Sequence, residues 1–338
     1  MSVTIQDVAK KAEVSVATVS RVMNGNYPVK KETKERVLEV IAELNYIPNM
    51  QARELTTQQS TTIGVIVPSI NNMFFTEVVD GIDKYIRDTN YSLMLTSSYG
   101  KPEQERKCIS DFLARNVLGI IIVTPNIENI KNKYYENLSS KIPIVFVNFN
   151  SEIENIFSVS NNEAEGARIA LEYLYSNNHK EILFVRGEDS YSYDLKEVVY
   201  RDFMTEKNIF KESNILNIGK GNSSRTVENT CEIFLKNYNN ISCTAVFACN
   251  DLMAVGVING CKRRGIKVPK DISVIGFDNI ALSKFIEPKL STVDQNMSLL
   301  GSTAIKILLD KVNSNYNGEK CTVLDNKIII RETIKRIL

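Results

Sequence analysis

The sequence of 338 residues predicts an α/β protein with an N-terminal all-α helix-turn-helix domain and a larger two-lobed domain. Each lobe is expected to be a parallel sheet with helices on both faces. Three observations predict this class. The first sixty residues show helical periodicity without strand patterns, and from Thr61 onward short apolar runs alternate with helical segments. The strand–helix units are too numerous for one small sheet, which favours two lobes.

Three short helices are predicted in the first domain. Thr4 begins a Thr-x-x-Asp capping pattern, after which apolar residues recur at helical spacing. Ser15 is placed to cap a second helix that ends at residues 24–26, Asn-Gly-Asn, which accept left-handed conformations. A third helix is expected over about 32–44 and is stopped before Pro48. Two short helices, a tight turn and a packing helix make a helix-turn-helix.

The outward face of the second helix indicates contact with DNA. It carries the small residues Ala17, Thr18 and Ser20 together with Arg21. Small side chains let a helix lie deep in the major groove, and an arginine can bind guanine O6 and N7 with two hydrogen bonds. The net charge of this domain gives no support for DNA binding, because the first sixty residues hold eight basic and seven acidic side chains. A three-helix protein-binding domain is the alternative on these patterns alone.

Composition argues against several classes of protein. The six cysteines form no C-x-x-C pair and the one histidine, His179, is expected in a loop before a strand, so we expect no metal site and six reduced thiols. No Ser-His-Asp or Cys-His constellation can form, and no phosphate loop surrounds Gly219. No apolar stretch approaches the roughly 20 residues of a membrane span, and no secretory signal is visible. We expect a cytoplasmic protein without a cofactor, not an enzyme.

The second domain is expected to bind a ligand between its lobes. Apolar, bounded runs predict strands at 62–67, 92–96, 119–123, 144–147, 182–185, 245–248 and 273–276. Segments between them, such as 103–115, 163–176 and 224–237, predict helices. Parallel sheets bind ligands beyond the carboxyl ends of their strands, so side chains that follow strands are candidates. Ser97 and Asn148 are two such polar residues.

The N-terminal residues carry a family resemblance. The segments VTIQDVAKKAEVSVATVSRVMNGN, KETKERVLEVIAELNYIPN and ARELTTQQSTTIGVIVP closely resemble the LacI/GalR family of bacterial transcriptional regulators. The later segments ACNDLMAVG and VIGFDNIALS match further signatures of that family, so the resemblance covers essentially the whole chain. It implies a repressor of carbohydrate or related metabolic genes that is controlled by a small molecule, a sugar or sugar derivative, bound in the cleft. It also implies a homodimer on a palindromic operator in double-stranded DNA.

The resemblance implies domain boundaries and a set of DNA contacts. The expected domains are 1–48 for the helix-turn-helix, 49–60 for the hinge, and 61–338 for two lobes like those of periplasmic sugar-binding proteins. Base-reading positions are matched by Val16, Ala17 and Arg21, and phosphate-contacting positions by Ser15, Thr18, Ser20, Asn24 and Tyr46. Residues 50–57 match a hinge that becomes helical on the operator, where Leu55, beside Ala52 and Arg53, enters a central base step from the minor groove.

The same resemblance implies an effector site. Asn72, Phe74 and Phe75 match positions that often supply aromatic surfaces, and Asn250 and Asp278 match positions that bind sugar hydroxyls or a base edge. Asp251 is interpreted instead as the cap of the following helix. The chain is expected to cross between lobes near 158–161, 290–293 and 321–323.

Two positions depart from the family pattern. Glu13 stands where the family usually has a glycine in a strained turn. Val199 stands where many members have an effector-binding arginine. This departure leaves open control by a partner, as in the catabolite-control branch that binds a phosphorylated phosphocarrier protein. A transport-type solute-binding protein is a further alternative, against which the helix-turn-helix argues.

Overall fold

The computed structural model of the chain describes residues 3–24, 27–47, 60–151, 153–188, 190–221 and 225–337. Its contacts divide the chain into two compact units, Met1–Ser60 and Thr61–Leu338. The predicted hinge, with Ala52, Arg53 and Leu55, lies outside the described residues, as does the predicted boundary between 48 and 49. The two units are therefore described separately.

The described part of the N-terminal unit contains three helices: α1 (Ile5–Lys11), α2 (Val16–Asn24) and α3 (Lys31–Glu43). The Thr4 hydroxyl accepts a hydrogen bond from the N–H of Asp7 at 3.3 Å, and the Asp7 carboxylate accepts one from the N–H of Thr4 at 2.8 Å. This reciprocal pair is the predicted cap of α1. Ser15 caps α2 in the same way, because its hydroxyl accepts from the N–H of Thr18 at 3.2 Å. The predicted helix-turn-helix is confirmed.

A small apolar core holds these helices together. Val8, Ala12, Val19 and Val37 are fully buried, and Val14 packs against them from the turn between α1 and α2. Because α2 buries one face in this core, its opposite face remains exposed to solvent.

The first lobe of the second unit has a six-stranded parallel sheet. Its strands are β1 (Thr62–Val67), β2 (Ser92–Ser97), β3 (Gly119–Val123), β4 (Ile144–Val147), β5 (Ile156–Asn161) and β11 (Cys321–Leu324). They lie in the order β11-β5-β4-β3-β1-β2. The accompanying helices are α4 (Met73–Ile86), α5 (Pro102–Ala114), α6 (Ile127–Lys131) and α12 (Met297–Val312). Strands β1, β3 and β4 are almost completely buried, as expected for a sheet with helices on both faces.

The second lobe has a six-stranded mixed sheet. Its strands are β6 (Ile182–Glu188), β7 (Ile215–Lys220), β8 (Ala245–Ala248), β9 (Ser273–Asp278), β10 (Ser291–Asp294) and β12 (Lys327–Ile329), in the order β12-β10-β9-β8-β6-β7. The helices are α7 (Glu163–Ser176), α8 (Tyr191–Glu206), α9 (Thr226–Asn237), α10 (Asp251–Arg263) and α11 (Leu282–Phe285). The edge strand β12 runs antiparallel to β10, which corrects the expectation that both sheets are wholly parallel.

The chain passes between the lobes three times within the described residues, at Asn162, at 295–296 and at 325–326. The predictions, near 158–161, 290–293 and 321–323, end one or two residues before these passages, in the strands β5, β10 and β11. The difference has a simple cause. These strands stay paired with parallel neighbours up to Asn161, Asp294 and Leu324, and the chain can turn away only where the ladder ends.

His179 precedes β6 as predicted, but it is a buried structural residue. Its Nδ1 lies 3.0 Å from the Thr244 hydroxyl and its Nε2 lies 2.9 Å from the Lys335 carbonyl oxygen. Burial lowers the pKa of this imidazole, which favours the neutral ring. The six cysteines are free thiols. Among the described residues, no three metal-ligating side chains converge and no helix is long and apolar enough to cross a membrane.

Glu13 has a left-handed backbone, with φ 54°, at the turn between α1 and α2. Glycine reaches this conformation without strain, whereas a residue with a Cβ atom loses about 1–2 kcal/mol in it. The family's glycine at this position thus has a backbone reason that Glu13 lacks.

We expect Glu13→Gly to stabilise the N-terminal unit by about 1 kcal/mol, because the substitution relieves this strain. Hydrogen exchange of the full chain should show slower exchange in peptides from α1 and α2. Asn45, at φ 47°, is the control, since asparagine tolerates this region and Asn45→Gly should gain less. A gain at Asn45 equal to that at Glu13 would contradict the argument.

Candidate functional site

The exposed face of α2 carries the residues predicted to read bases. Val16 is 41% exposed and Ala17 and Arg21 are exposed beside it. The Arg21 guanidinium lies 5.5 Å from the centroid of the Tyr27 ring, a cation–π distance that leaves the side chain on the surface. Small side chains around one arginine give this face the shape that a major groove accepts.

The predicted phosphate-contacting residues lie at the edges of this face. Ser15 is exposed, and its hydroxyl lies 2.9 Å from that of Thr18, which is half-buried like Ser20. Tyr46 packs partly against the core of the unit. Asn24 ends α2, and its side chain lies outside the described part of the chain.

A cavity of about 550 Å³ lies between the two lobes. From the first lobe it is lined by Pro68, Asn72, Phe74, Phe75, Tyr99, Gly100, Lys101, Thr124, Pro125, Asn126, Ile127, Asn148, Phe149, Asn150, Ser160 and Asn161. From the second lobe and its passage come Glu163, Glu188, Ser190, Tyr191, Ser192, Tyr193, Leu195, Lys196, Lys220, Gly221, Cys249, Asn250, Asp278 and Gln295. Nearly all of these follow the carboxyl ends of strands, where the parallel sheets predicted a site.

Six of the seven predicted effector residues line this cavity: Asn72, Phe74, Phe75, Asn148, Asn250 and Asp278. The Asn72 side chain also accepts from the N–H of Phe74 at 3.0 Å and caps α4. Ser97 does not line the cavity. Its hydroxyl donates to the Pro68 carbonyl at 3.1 Å and accepts from the N–H of Tyr99, so it holds the loop after β2.

The cap of α10 is Asn250, and not Asp251 as predicted. Asn250 has extended backbone angles, and its side-chain oxygen accepts from the N–H of Met253 at 2.9 Å. Its amide nitrogen donates to the Tyr193 hydroxyl at 3.0 Å and to the Gly221 carbonyl at 3.1 Å. Asp251 is fully buried and joins neighbouring elements instead, by accepting from the N–H of Ile280 at 2.9 Å and from the Thr292 hydroxyl at 2.6 Å.

A buried ion pair at the cavity was missed by the sequence analysis. Lys196 is 1% exposed, and its Nζ donates to Glu163 at 2.8 Å and to the Ser192 hydroxyl at 2.6 Å. Its ammonium also lies 4.0 Å from the centroid of the Phe277 ring. Val199, where the family places an arginine, packs against the apolar core of the second lobe. The cation that α8 contributes to the cavity is therefore Lys196, one helical turn before Val199.

The sequence did contain a signal for Lys196. It lies at helical spacing between Tyr193 and Tyr200, both of which are buried. A lysine on the buried face of a helix requires a partner.

A chain of hydrogen bonds runs across two of the passages between the lobes. The Asn161 amide donates to the Gln295 backbone carbonyl at 2.7 Å and to its side-chain oxygen at 3.1 Å. The Gln295 amide donates in turn to Asp278 at 2.7 Å. These hydrogen bonds join the end of β5 in the first lobe to the end of β9 in the second. The side-chain oxygen of Asn161 has no partner among the described residues.

Asp278 combines two unfavourable features at the cavity. Its backbone has φ 116°, a region that side chains other than glycine rarely adopt. Burial raises the pKa of its carboxyl, an effect that the nearby Lys196 ammonium partly opposes. Strain and a buried acid together mark a site at which structure is held for function.

Comparisons with known proteins agree with this architecture. A model of bacterial regulatory proteins of the lacI family matches residues 4–49, and a model of a periplasmic binding protein-like domain matches residues 171–334. Catabolite control protein A of Priestia megaterium is 34% identical over 99% of this chain and 100% of the relative.

Two solved structures are also similar. The lac repressor dimer bound to operator and the anti-inducer ONPF has a TM-score of 0.87 and 27% identity over 99% of this chain and 100% of its own. A LacI family transcriptional regulator from Enterococcus faecium with bound ribose has a TM-score of 0.72 and 25% identity, over 82% of this chain and 100% of its own.

Lys196→Met should destabilise the fold by about 3 kcal/mol, because it leaves the Glu163 carboxylate buried without its cation. The double variant Lys196→Met with Glu163→Gln should lose less than the sum of the single variants. Urea unfolding of the full chain measures both. The control is Lys84→Met, which removes an exposed pair with Asp80 and should change little. Strict additivity would contradict the coupling.

Proposed function

The chain belongs to the lacI family of bacterial regulatory proteins, and from this premise we propose a homodimeric repressor whose operator affinity is set by a neutral saccharide bound between its lobes. It is a DNA-binding transcriptional regulator, as its relatives are. The observation that carries the proposal for DNA is the exposed face of α2, where Arg21 stands among small side chains. Operator binding would take place in the cytoplasm, where bacterial DNA lies.

The proposed mode of DNA binding uses two copies of α2. A dimer reads a palindrome when its two recognition helices enter successive major grooves. Val16, Ala17 and Arg21 would contact base edges, while Ser15, Thr18 and Ser20 would contact phosphates and set the register. The similarity to a lac repressor dimer on its operator supports this arrangement.

The chemistry of the cavity supports a neutral, hydroxyl-rich effector. Three lysines and three carboxylates line it, and the most buried lysine, Lys196, is already paired with Glu163. Within the described residues, Asn161 Oδ1, Glu163 Oε1 and Asp278 Oδ2 have no hydrogen-bond donor. These atoms accept hydrogen bonds, so they bind hydroxyl groups well and repel a phosphate or carboxylate. A solved family structure with bound ribose agrees with this chemistry.

The proposed link between effector and operator passes through the hydrogen bonds that span the lobes. An effector that contacts Asn161 or Asp278 acts on groups tied to Gln295 in the passage. A change in lobe closure would then alter the hinge and the spacing of the two recognition helices. Such coupling is typically about 1–3 kcal/mol.

Control by a phosphorylated phosphocarrier protein is the alternative, and the similarity to catabolite control protein A favours it. The departure at Val199 is a weaker argument for it now, since Lys196 supplies a cation to the cavity. The two proposals differ in what changes operator affinity: a saccharide alone, or only the added protein.

Arg21→Ala should weaken operator binding at least about tenfold and relax the preference at one base pair of each half-site, because a bidentate arginine discriminates by about 1–3 kcal/mol. The operator is first selected from random palindromes with the full chain, and affinity is then measured at fixed salt. Lys34→Ala, on the exposed side of α3, is the charge-matched control. A uniform loss with unchanged base preference would refute base reading by Arg21.

Leu55→Ala should also lower operator affinity more than about tenfold, since it removes the proposed wedge in the central base step. The same selected operator serves for the measurement. Leu38→Ala, which truncates an exposed leucine of α3, is the control. An unchanged affinity for Leu55→Ala would exclude the wedge.

A further inference from the structure

We propose that the effector is longer than one sugar ring, a disaccharide or a glycoside, with its second ring or aglycone between Tyr99 and Tyr191 at the cavity mouth. The inference rests on the proposed saccharide effector and specifies its class. It follows from the size of the cavity, from its change of character with depth, and from the conformation of Tyr99.

The cavity is larger than one sugar ring requires. The 550 Å³ between the lobes lies within the range of about 300–1,000 Å³ that is typical of pockets for drug-sized ligands. A hexose has only about twelve non-hydrogen atoms and is smaller than such a ligand. One ring would leave a large part of the cavity filled by solvent, whereas a second ring or an aglycone would fill it.

The polar groups that could hold a first ring lie at the buried end of the cavity. Asn161, Glu163, Asp278 and Gln295 are all less than a tenth exposed. The first three present the acceptor atoms that have no donor among the described residues. Phe74 and Phe75, also buried, pack edge to face at 5.4 Å on the wall contributed by α4. This end thus offers both hydrogen bonds and an apolar wall to one ring.

The mouth of the cavity has a different character. Tyr99 is 73% exposed on the first lobe and Tyr191 is 63% exposed on the second, and both line the cavity. An aromatic ring offers a flat apolar surface to the C–H groups of a pyranose or to a planar aglycone. The two tyrosines line the cavity from opposite lobes, so a ligand that extends from the buried end toward solvent has an aromatic surface on either lobe. A single ring held at the buried end would leave both side chains in water.

The backbone holds Tyr99 in an unusual conformation. Its φ is 53°, in the left-handed region that a bulky residue rarely occupies. The loop is fixed by hydrogen bonds from the N–H of Tyr99 to the Ser97 hydroxyl at 3.3 Å and from the N–H of Ser98 to the Val67 carbonyl at 2.9 Å. An exposed aromatic side chain that is kept in a strained conformation indicates a functional contact.

The decisive experiment is isothermal titration calorimetry of the full chain with three sets of probes. The first set contains cellobiose, maltose, lactose, melibiose, trehalose, sucrose and nitrophenyl glucoside and galactoside. The second contains glucose, galactose, fructose and ribose. The third contains glucose 6-phosphate and fructose 6-phosphate. At least one member of the first set should bind at least about tenfold more tightly than its component monosaccharide, a difference of about 1.4 kcal/mol.

Variants at the mouth test the position of the second group. Tyr191→Ala and Tyr99→Ala should each weaken the best probe of the first set about five- to tenfold and leave monosaccharide affinity unchanged. Tyr191→Phe and Tyr99→Phe should keep most of the affinity, since stacking needs the ring and not the hydroxyl. Tyr27→Ala, at an exposed tyrosine of the N-terminal unit, is the control and should change nothing.

Each result has one meaning. If a monosaccharide binds as tightly as every longer probe that contains it, or if the alanine variants keep full affinity, the extended effector is refuted and the saccharide sensor stands. If no neutral saccharide binds at millimolar concentration, or if only sugar phosphates bind, both the extended effector and the proposed neutral-saccharide function are refuted.

Discussion

The parallel direction of the strands is the constraint on which the rest of the second unit depends. In a parallel sheet the carboxyl ends of all strands lie on the same side, and the segment that follows each strand must leave the sheet there. The strands themselves can then be almost wholly apolar, as β3 and β4 are. Polar and aromatic side chains collect in the loops beyond them. Both lobes obey this constraint and both contribute their loops to one cavity. The antiparallel β12 lies at a sheet edge, where it leaves that arrangement intact.

The passages between the lobes bring polar backbone into a buried region, and buried polar groups need partners. Asn161 and Gln295 supply them, because their hydrogen bonds tie the end of β5 to the passage after β10. Glu77 adds another link between the lobes, from α4 to the N–H of Ala281 at 2.8 Å. Glu77 is half-buried, and this partial withdrawal from water raises the pKa of its carboxyl. Asn161 and Gln295 also line the cavity, so a ligand bound at its buried end would contact the groups that hold the passages.

Most of the fold could be predicted where local signals were strong. Thr4 and Ser15 are N-cap residues that mark the starts of their helices. Apolar runs such as GIIIV at 119–123 indicate buried strands or short buried helices. The strands β5, β7, β10, β11 and β12 were missed because their sequences are polar or very short, and only pairing with distant residues makes them strands. The passages lie one or two residues later than the predicted ranges for a related reason, because the end of a strand depends on its neighbour, which the local sequence does not reveal.

The site was predicted less completely than the fold, and Lys196 shows why. Comparison with a family motif matches positions along the sequence. Whether a side chain of α8 reaches the cavity depends instead on the helical turn on which it lies. Helical side chains lean toward the N-terminus of their helix, and the N-terminus of α8 is the end at the cavity. Lys196 therefore reaches the cavity, whereas Val199 lies about 4.5 Å further along the axis and packs against the core.

This shift of one turn also changes the chemistry of recognition. A free guanidinium has only donors and binds the acceptor atoms of a ligand. In this chain the buried cation is already occupied by Glu163 and Ser192, and the oxygens left for a ligand belong to Glu163, Asp278 and Asn161. An acceptor-rich site requires donors from its ligand, which hydroxyl groups provide and phosphate groups lack at neutral pH. Around the paired lysine the cavity thus requires donors from its ligand, whereas a free arginine at the same place would require acceptors.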